Sequence, residues 1–526
     1  MIVKISVSLG VNNTVYMRCK VKTQKIENGK GTLKMKLSKY NLIFDYRNIK
    51  LAFNSMTCAL VIATNDFLRI LEEVKNNVFH RIEHSKRELN LIHDMKEGGF
   101  IIDDCFDELK FLKFKNFQGK FQTNNFSLSI APTFACNFAC PYCYENTKAQ
   151  FMTQETMDAI CKEVETAAKG KKRIIISWYG GEPLLTKNII WSLSDKFISY
   201  VEKYDAYYSA QIITNGYLLD NETIANLIKY KISRVQITID GPADVHNSRR
   251  KLRNSSKPTF DTILNNAKKV LDAGIGVAIR INIDKNNEHR VDELLNTLLD
   301  YGLQNAYVYL GHVRVSTEFC TSISSNCLSK QDYAMKFANF EKILLDKGFN
   351  KNYYPNYPKT KSNNCTADSI TSRVIAPDGS MYKCWHDISK PDMSIGNIRD
   401  LADVTDKNIM IQVKYMLSNP FKIDECKNCN VLPLCMGGCP TITNKVSCQN
   451  CKYSLVETLK QKYDLLIASS GTSNNQNLMT AKNEMSGLPI LVKPITEHSF
   501  TPSAEYDCSD YNFSCGTPKL WWNLQL

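Results

Sequence analysis

The run APTFACNFACPYCYE sets three cysteines, Cys136, Cys140 and Cys143, in a Cys-x3-Cys-x2-Cys spacing. Three thiolates on one short loop can hold three irons of a [4Fe–4S] cube, leaving the fourth iron without a protein ligand. An iron with an open position can chelate a small molecule directly, so such a cube does more than relay electrons. Zinc is the competing chemistry, but it needs a fourth ligand and normally comes with two separated Cys-x2-Cys pairs. A second motif lies downstream. RIIISWYGGEPLL, over 173–185, is a β-branched run of buried-strand type ending in Gly180-Gly181-Glu182-Pro183. Two glycines let a backbone approach a ligand closely, and a carboxylate beside them can face an ammonium group.

These residues need a frame to hold them. Between 126 and 347 strand-like runs alternate with helical ones, the strands being FSLSIAPT, RIIISWYG, QIITNG, RVQITIDG, GVAIRINID and AYVYLGHV. The helical runs include TQETMDAICKEVETAAKG, with Met157, Ile160, Cys161 and Val164 on one face. NETIANLIKY, FDTILNNAKKVLDAG, EHRVDELLNTLLDYG and a last run near 330–347 continue the pattern. Six β-then-α units predict an α/β fold with a parallel sheet and right-handed crossovers. A barrel of that kind carries its chemistry at the C-terminal ends of the strands, where both motifs fall.

The 526 residues suggest three domains rather than one. No apolar run approaches the roughly eighteen residues that a membrane span needs, so no membrane contact is expected. The start MIVKISVSLGVNN lacks a basic segment followed by a long apolar stretch, so no signal peptide is read. Nineteen cysteines then predict a cytoplasmic protein, in which dense cysteine means metal or catalysis. Net charge is +13, and residues 1–50 hold eleven Lys and Arg against Glu27 and Asp45, a local excess of +9. Such a face could steer an acidic peptide or nucleic acid, or could simply be a solvated hairpin. Aromatics are not interleaved there in an RNA-binding pattern, so nucleic acid is the weaker partner. Residues 1–125 read as a small α+β module in which KMKLSKYNLIFDY and IKLAFN alternate like strands. TNDFLRILEEVKNNVFHRI sets Phe67, Leu68, Leu71, Val74 and Val78 at helical spacing, with Asn65 as the cap. HSKRELNLIHDMKEGGF is a second helix stopped by Gly98-Gly99.

The triad followed by the GGEP loop resembles the radical S-adenosylmethionine (radical SAM) superfamily. The resemblance implies a partial (β/α)6 TIM-like barrel over 126–347, with a [4Fe–4S] cluster on Cys136, Cys140 and Cys143. It implies SAM on the open iron through its amine and carboxylate, cleaved reductively to a 5′-deoxyadenosyl radical that abstracts hydrogen from carbon. Tyr142, Gly180, Gly181, Glu182 and Pro183 are implied as SAM contacts, the GGEP loop lying against the amino group. ITNG at 213–216 and QITIDGPADVHNSRR at 236–250 look like strand signatures of the sulfatase-maturase-like branch, with Asp240 near the SAM ribose. Arg280 and Asn282, in RINID, are implied at the SAM carboxylate or the substrate. Blander roles compete: DGP is also a good turn, strand-end polar residues often cap a sheet, and His246 reads as structural.

A second cysteine array follows: Cys365-x13-Gly379-x4-Cys384, then Cys426-x2-Cys429-x5-Cys435-x3-Cys439, then Cys448 and Cys451. Downstream of such a core the string resembles the SPASM domain, which binds two auxiliary [4Fe–4S] clusters. The family's interleaved ligation implies Cys365, Cys384 and Cys439 for the first, and Cys426, Cys429 and Cys435 with Cys448 or Cys451 for the second. Some members add a ligand just before the first cysteine, and 350–364 holds none. Either Cys320 or Cys327 loops back, or one iron stays open for a substrate thiolate. Cys19, Cys58, Cys105 and Cys161 read as buried and inert. The cluster domain spans 348–468, SSGTSNNQN opens a linker, and the tail to 526 carries Cys508 and Cys515 without a core-forming period. That tail reads as a draped extension, or as a tethered peptide resembling a maturase substrate.

The function so implied is peptide or protein maturation, such as a thioether crosslink, with ferredoxin or flavodoxin as the reductant. The runner-up is an anaerobic sulfatase-maturating enzyme. That subfamily carries an aspartate base directly after the cysteine equivalent to Cys384, where Trp385 stands here, followed by His386 and Asp387. An RNA-modifying radical SAM enzyme is the third reading.

Overall fold

A computed structural model describes residues 34–143, 149–313, 324–350, 357–388, 390–440, 448 and 450–470, with the backbone of two short strands before them. The chain divides into two compact units, Met1–Phe106 with Ser486–Leu526, and Asp107–Met485.

In the first unit β1 (Ser6–Leu9) and β2 (Val15–Arg18) form an antiparallel pair. After β3 (Met35–Leu37) comes an antiparallel meander of β4 (Asn41–Tyr46), β5 (Ile49–Asn54) and β6 (Ala59–Ile62). α1 (Asn65–Lys75) is capped by Thr64, whose hydroxyl accepts the Phe67 amide at 3.2 Å, and not by Asn65, which is already helical. It stops at Lys75, short of Val78, and Asn77 turns into the left-handed region. α2 (Lys86–Glu97) opens on a Ser85–Glu88 capping box and ends at Gly98-Gly99, as its spacing predicts. β7 (Ile101–Asp103) then returns to pair with β3. Phe67, Ile70, Val74, Leu91, Met95 and Phe100 fill the core.

The second unit begins with α3 (Glu108–Phe121), a helix lying inside the segment read as the N-terminal module. Asn116 Nδ2 donates to the Ser362 carbonyl at 2.8 Å, and Lys120 reaches the carbonyls of Met416 and Ser418. Strands and helices then alternate: β8 (Asn125–Ile130), α4 (Gln154–Lys169), β9 (Arg173–Trp178), α5 (Lys187–Tyr204), β10 (Tyr208–Thr214) and α6 (Asn221–Lys229). β11 (Ile232–Thr238), α7 (Ala243–Arg249), α8 (Phe260–Asp272), β12 (Gly276–Ile283), α9 (Val291–Asp300), β13 (Tyr307–His312) and α10 (Lys330–Asp346) complete the run. β8 to β13 lie parallel in sequence order, the α/β arrangement expected from six β-then-α units. Along each strand alternate residues point to opposite faces. Ile174, Ile176, Trp178, Ile279 and Ile281 are fully buried, and the other face carries Ser177, Gln211, Gln236, Arg280, Asn282 and Tyr309. Across that polar face Gln211 donates to Ser177 at 2.9 Å, and the Tyr309 hydroxyl donates to Gln236 at 2.7 Å.

The sheet does not end at β8. β14 (Ser372–Ile375) adds to it in parallel, from Ser372 opposite Ser127 to Ile375 opposite Ile130. β15 (Met381–Tyr382) folds back antiparallel on β14, which makes eight strands in all. α11 (Asp406–Met416), α12 (Asp424–Lys427), α13 (Leu432–Cys435) and α14 (Asn450–Ser470) follow. α14 lies along α10, where Gln461 Nε2 donates to the Ala338 carbonyl at 2.7 Å. Among the described residues no helix is long and apolar enough to cross a membrane.

Candidate active site

β8 delivers the chain at Ile130 into the loop that carries the triad, and β9 delivers it at Trp178 into the GGEP loop. The two loops are laced together. The Gly181 amide donates to the Thr133 carbonyl at 3.2 Å, and the Glu182 amide to the Ala135 carbonyl at 2.9 Å. Gly180 has φ +130°, and a Cβ there would lie 2.5 Å from the Thr133 carbonyl oxygen. A Cβ on Gly181 would overlap the Ala135 carbonyl and lie 2.5 Å from that of Phe134. The glycines therefore allow close approach to the triad's own backbone, a reason the motif alone did not reveal.

Glu182 is turned into the fold. It accepts the Thr214 hydroxyl at 2.7 Å, the Asn215 amide at 2.7 Å and the Leu184 amide at 3.0 Å. The carboxylate ties the GGEP loop to the ITNG loop after β10. Pro183 opens a short 3-10 turn over Pro183–Thr186. Burial raises the Glu182 pKa against those hydrogen bonds. Burial also pushes the Cys136 thiol up to about 12, with Glu182, Cys140 and Cys143 adding to the shift.

At the end of β11 a buried polar network faces the triad. The Tyr142 hydroxyl donates to the Asp240 carboxylate and accepts from Arg250 Nη1 at 2.8 Å. Arg249 lies over the Tyr142 ring, 5.2 Å from its centre, with Nε 3.3 Å from Asp240 and Nη2 3.0 Å from Asp284. Burial raises the Cys140 pKa, and Arg250, Arg249 and Arg253 oppose the rise. Asp240 Oδ1 and Arg250 Nε are buried without a hydrogen-bond partner among the described residues. Arg280 Nε donates to Asn282 Oδ1 at 2.8 Å, and Gly311 leaves room for both, since a Cβ there would collide with each. His246 is fully buried edge-on to Phe260, at 5.5 Å, and burial holds its pKa well below the ordinary value. The arginine pair and Asn287, which donates to the carbonyls of Asp240 and Asn282, carried no recognisable signal beyond their place in NSRR and IDKNN.

The second array folds into two groups. Cys365, Cys384 and Cys439 lie within electrostatic range of one another, the first two flanking the β14–β15 hairpin with Gly379 at its turn. Cys426, Cys429, Cys435 and Cys448 line one cavity. The side chain of Cys451 lies outside the described residues, as do Cys19, Cys320, Cys508 and Cys515. Cys327 packs with Tyr142 on Val313, past the end of β13. Cys58 and Cys161 are buried as expected, but Cys105 is exposed in the turn after β7.

An apolar cluster joins the two arrays: Ala131 and Phe134 ahead of the triad, Tyr179 at the end of β9, and Val374, Ala376 and Tyr382 of the hairpin. The Trp385 and Tyr179 rings lie 4.5 Å apart, and the Tyr179 hydroxyl donates to the Trp385 carbonyl at 3.4 Å. Asp387 is buried, accepts from the Tyr415 hydroxyl and pairs with Lys390 at 3.2 Å.

The donor set at the triad fits an anionic iron–sulfur cube. Three thiols lie within electrostatic range of one another, guanidinium groups lie within range of Cys140, and an orphaned carboxylate oxygen and guanidinium nitrogen belong to the same network.

Residues 130–298 match the Radical SAM superfamily. The cysteine-type anaerobic sulfatase-maturating enzyme of Clostridium perfringens is 25% identical over 346 residues, covering 60% of this chain and 88% of that enzyme. GTP 3′,8-cyclase of Helicobacter pylori is 30% identical over 178 residues, covering 33% of this chain and 51% of the cyclase. A solved structure of native anSMEcpe with bound AdoMet and Cp18Cys peptide aligns with a TM-score of 0.51 at 20% identity. It covers 66% of this chain and 99% of its own, a likeness of fold.

Proposed function

We propose that this chain, whose residues 130–298 are a radical SAM domain, is a maturase that crosslinks a peptide or protein, for instance through a thioether. The observation that carries the reading is the β14–β15 hairpin, which seats a second cysteine group on the very strand that delivers the triad. Cys136, Cys140 and Cys143 would hold the SAM-binding cube. Cys365, Cys384 and Cys439 would hold one auxiliary cluster, and Cys426, Cys429, Cys435 and Cys448 the other. When bound, the cube with SAM supplies a 5′-deoxyadenosyl radical, and the auxiliary clusters supply an electron acceptor. Joining an S–H to a C–H as a C–S bond removes one hydrogen atom, one proton and one electron, a balance that such a pair of sites meets. The chain's own part is placement. Tyr142, Asp240 and Arg249 brace the triad loop, the GGEP loop would lie against the SAM amino group, and Arg280 with Asn282 would orient a carboxylate at the strand ends. The reductant is of ferredoxin or flavodoxin type.

Tandem mass spectrometry on co-expressed peptides tests this. The expected result is a loss of about 2 Da, with fragment ions missing between the two linked residues. The sulfatase-maturating reading has the Clostridium perfringens relative in its favour. Against it, Trp385 stands where that subfamily carries its base, and Asp387 is held by Tyr415 and Lys390. A Cys or Ser sulfatase peptide should therefore leave the wild-type enzyme unchanged. Formylglycine at a single residue would hand the case to that reading.

The basic N-terminal unit serves as the peptide-recognition module, adding the peptide as a strand to a sheet edge. Because α3 is bonded into the second unit, a deletion should end at Phe106. Removing 1–106 is expected to abolish modification of the full peptide while leaving uncoupled SAM cleavage. Loss of both activities would show that the unit is instead structurally required by the barrel.

A further inference from the structure

Two buried lysines flank Asp368, the carboxylate that holds the Cys365 amide. Lys120, from α3, is 2% exposed, and its ammonium reaches the carbonyls of Met416 and Ser418 and lies 3.6 Å from the Asp368 carboxylate. Lys383, next to Cys384, is also 2% exposed and donates to the carbonyls of Ser369 and Ser372, the latter at 2.7 Å. It lies within electrostatic range of Asp368 and Cys365. Asp368 in turn accepts the Cys365 amide at 3.2 Å and Asn363 Nδ2 at 3.0 Å. The neighbouring charges are already matched, Arg373 with Glu163 at 3.0 Å and Lys390 with Asp387 at 3.2 Å. Two buried cations therefore share one carboxylate. Carbonyls satisfy the ammonium hydrogens but not the charge, and a buried unmatched charge is strongly disfavoured.

We infer that Lys120 and Lys383 form a cationic seat for the anionic group held by Cys365, Cys384 and Cys439, and that Lys120 raises that group's affinity for an electron. The inference rests on the reading above, in which these cysteines hold an iron–sulfur cluster. Such a cluster carries net negative charge, and nearby charge is one of the terms that set its potential. A seat of this kind favours the reduced state and suits a site that accepts an electron from the substrate. Lys120 acts here as a positioning charge and touches no reacting atom.

The test is an EPR-monitored redox titration of the full-length chain with Cys136, Cys140 and Cys143 replaced by alanine, which leaves only the auxiliary clusters to observe. In that background Lys120→Met is expected to lower the reduced-to-oxidised ratio of one cluster at fixed potential by about tenfold, equivalent to about 59 mV, with iron content unchanged. Lys120→Arg, which keeps the charge, should restore the wild-type potential. In the metal-free chain Lys120→Met should leave the melting temperature unchanged or higher, whereas a residue that merely caps the end of α11 would lower it in both forms. Lys383→Met repeats the titration should Lys120→Met fail to fold. An unchanged potential with iron present overturns the charge assignment alone. Iron content unaffected by replacing Cys365, Cys384 and Cys439 overturns both the seat and the cluster reading beneath it.

Discussion

Replacing Cys136, Cys140 and Cys143 together with alanine should remove about four of about twelve irons per chain after anaerobic reconstitution, and all SAM cleavage. The loop that brings the three thiols together is held by the GGEP backbone, and Cys327, the described cysteine that packs on Tyr142, could supply one ligand at most. Burial pushes the Cys136 thiol up to about 12, so the thiolate state there depends on a bound cation and not on ordinary titration. The variant should still fold, because the sheet beneath the loop is closed by apolar residues such as Leu128, Ile176 and Ile279 that the substitutions do not touch. Iron analysis, and liquid chromatography of 5′-deoxyadenosine under dithionite, read the outcome. Nucleoside formed by the triple variant would mean that the radical-generating cluster lies elsewhere in the chain.

A single methyl group should do nearly as much damage. In Gly181→Ala the new Cβ meets the carbonyls of Ala135 and Phe134, which are backbone and cannot swing aside. The loops must part, breaking the bonds from Gly181 to Thr133 and from Glu182 to Ala135. Two lost hydrogen bonds at about 1 kcal/mol each, with overpacking of about 1–3 kcal/mol, put the local cost at several kcal/mol. The expected result is loss of most iron from the triad and at least about a tenfold weaker response to SAM. Gly274→Ala is the control: φ is +80° there but nothing lies within 4 Å, so the change should cost only about 1 kcal/mol and spare the iron. Iron and SAM cleavage at wild-type levels in Gly181→Ala would show that the contact between the two loops is dispensable.

What the sequence made legible follows from the range of each signal. Strand alternation and helical spacing are local, so the six parallel strands and helices such as α4 and α8 could be read directly. The cysteine spacings are also local and could be read directly. The missing pieces were long-range. Nothing in SRVI predicts that it will pair with β8, because that strand's other edge is left open only by the topology. Glu182 shows the same limit from the other side. Its hydrogen-bond partners, Thr214 and Asn215, come from the loop after the following strand, a link the motif did not reveal. Asn65 was read as the cap where Thr64 holds that place, because it is the Thr64 hydroxyl that faces the Phe67 amide.

The β8–β14 pairing also bears on how the chain assembles. Residues 372–375 leave the ribosome long after 125–130, so β8 stays the outer strand even after β9 to β13 have emerged. An outer strand shows a row of unpaired amides and carbonyls to any passing chain, and here it also ends in the cysteine loop. Closure must await a contact of high sequence separation, the slow kind of folding step. The hairpin is therefore both the seat of the second cysteine group and the guard that finally seals the first strand's edge.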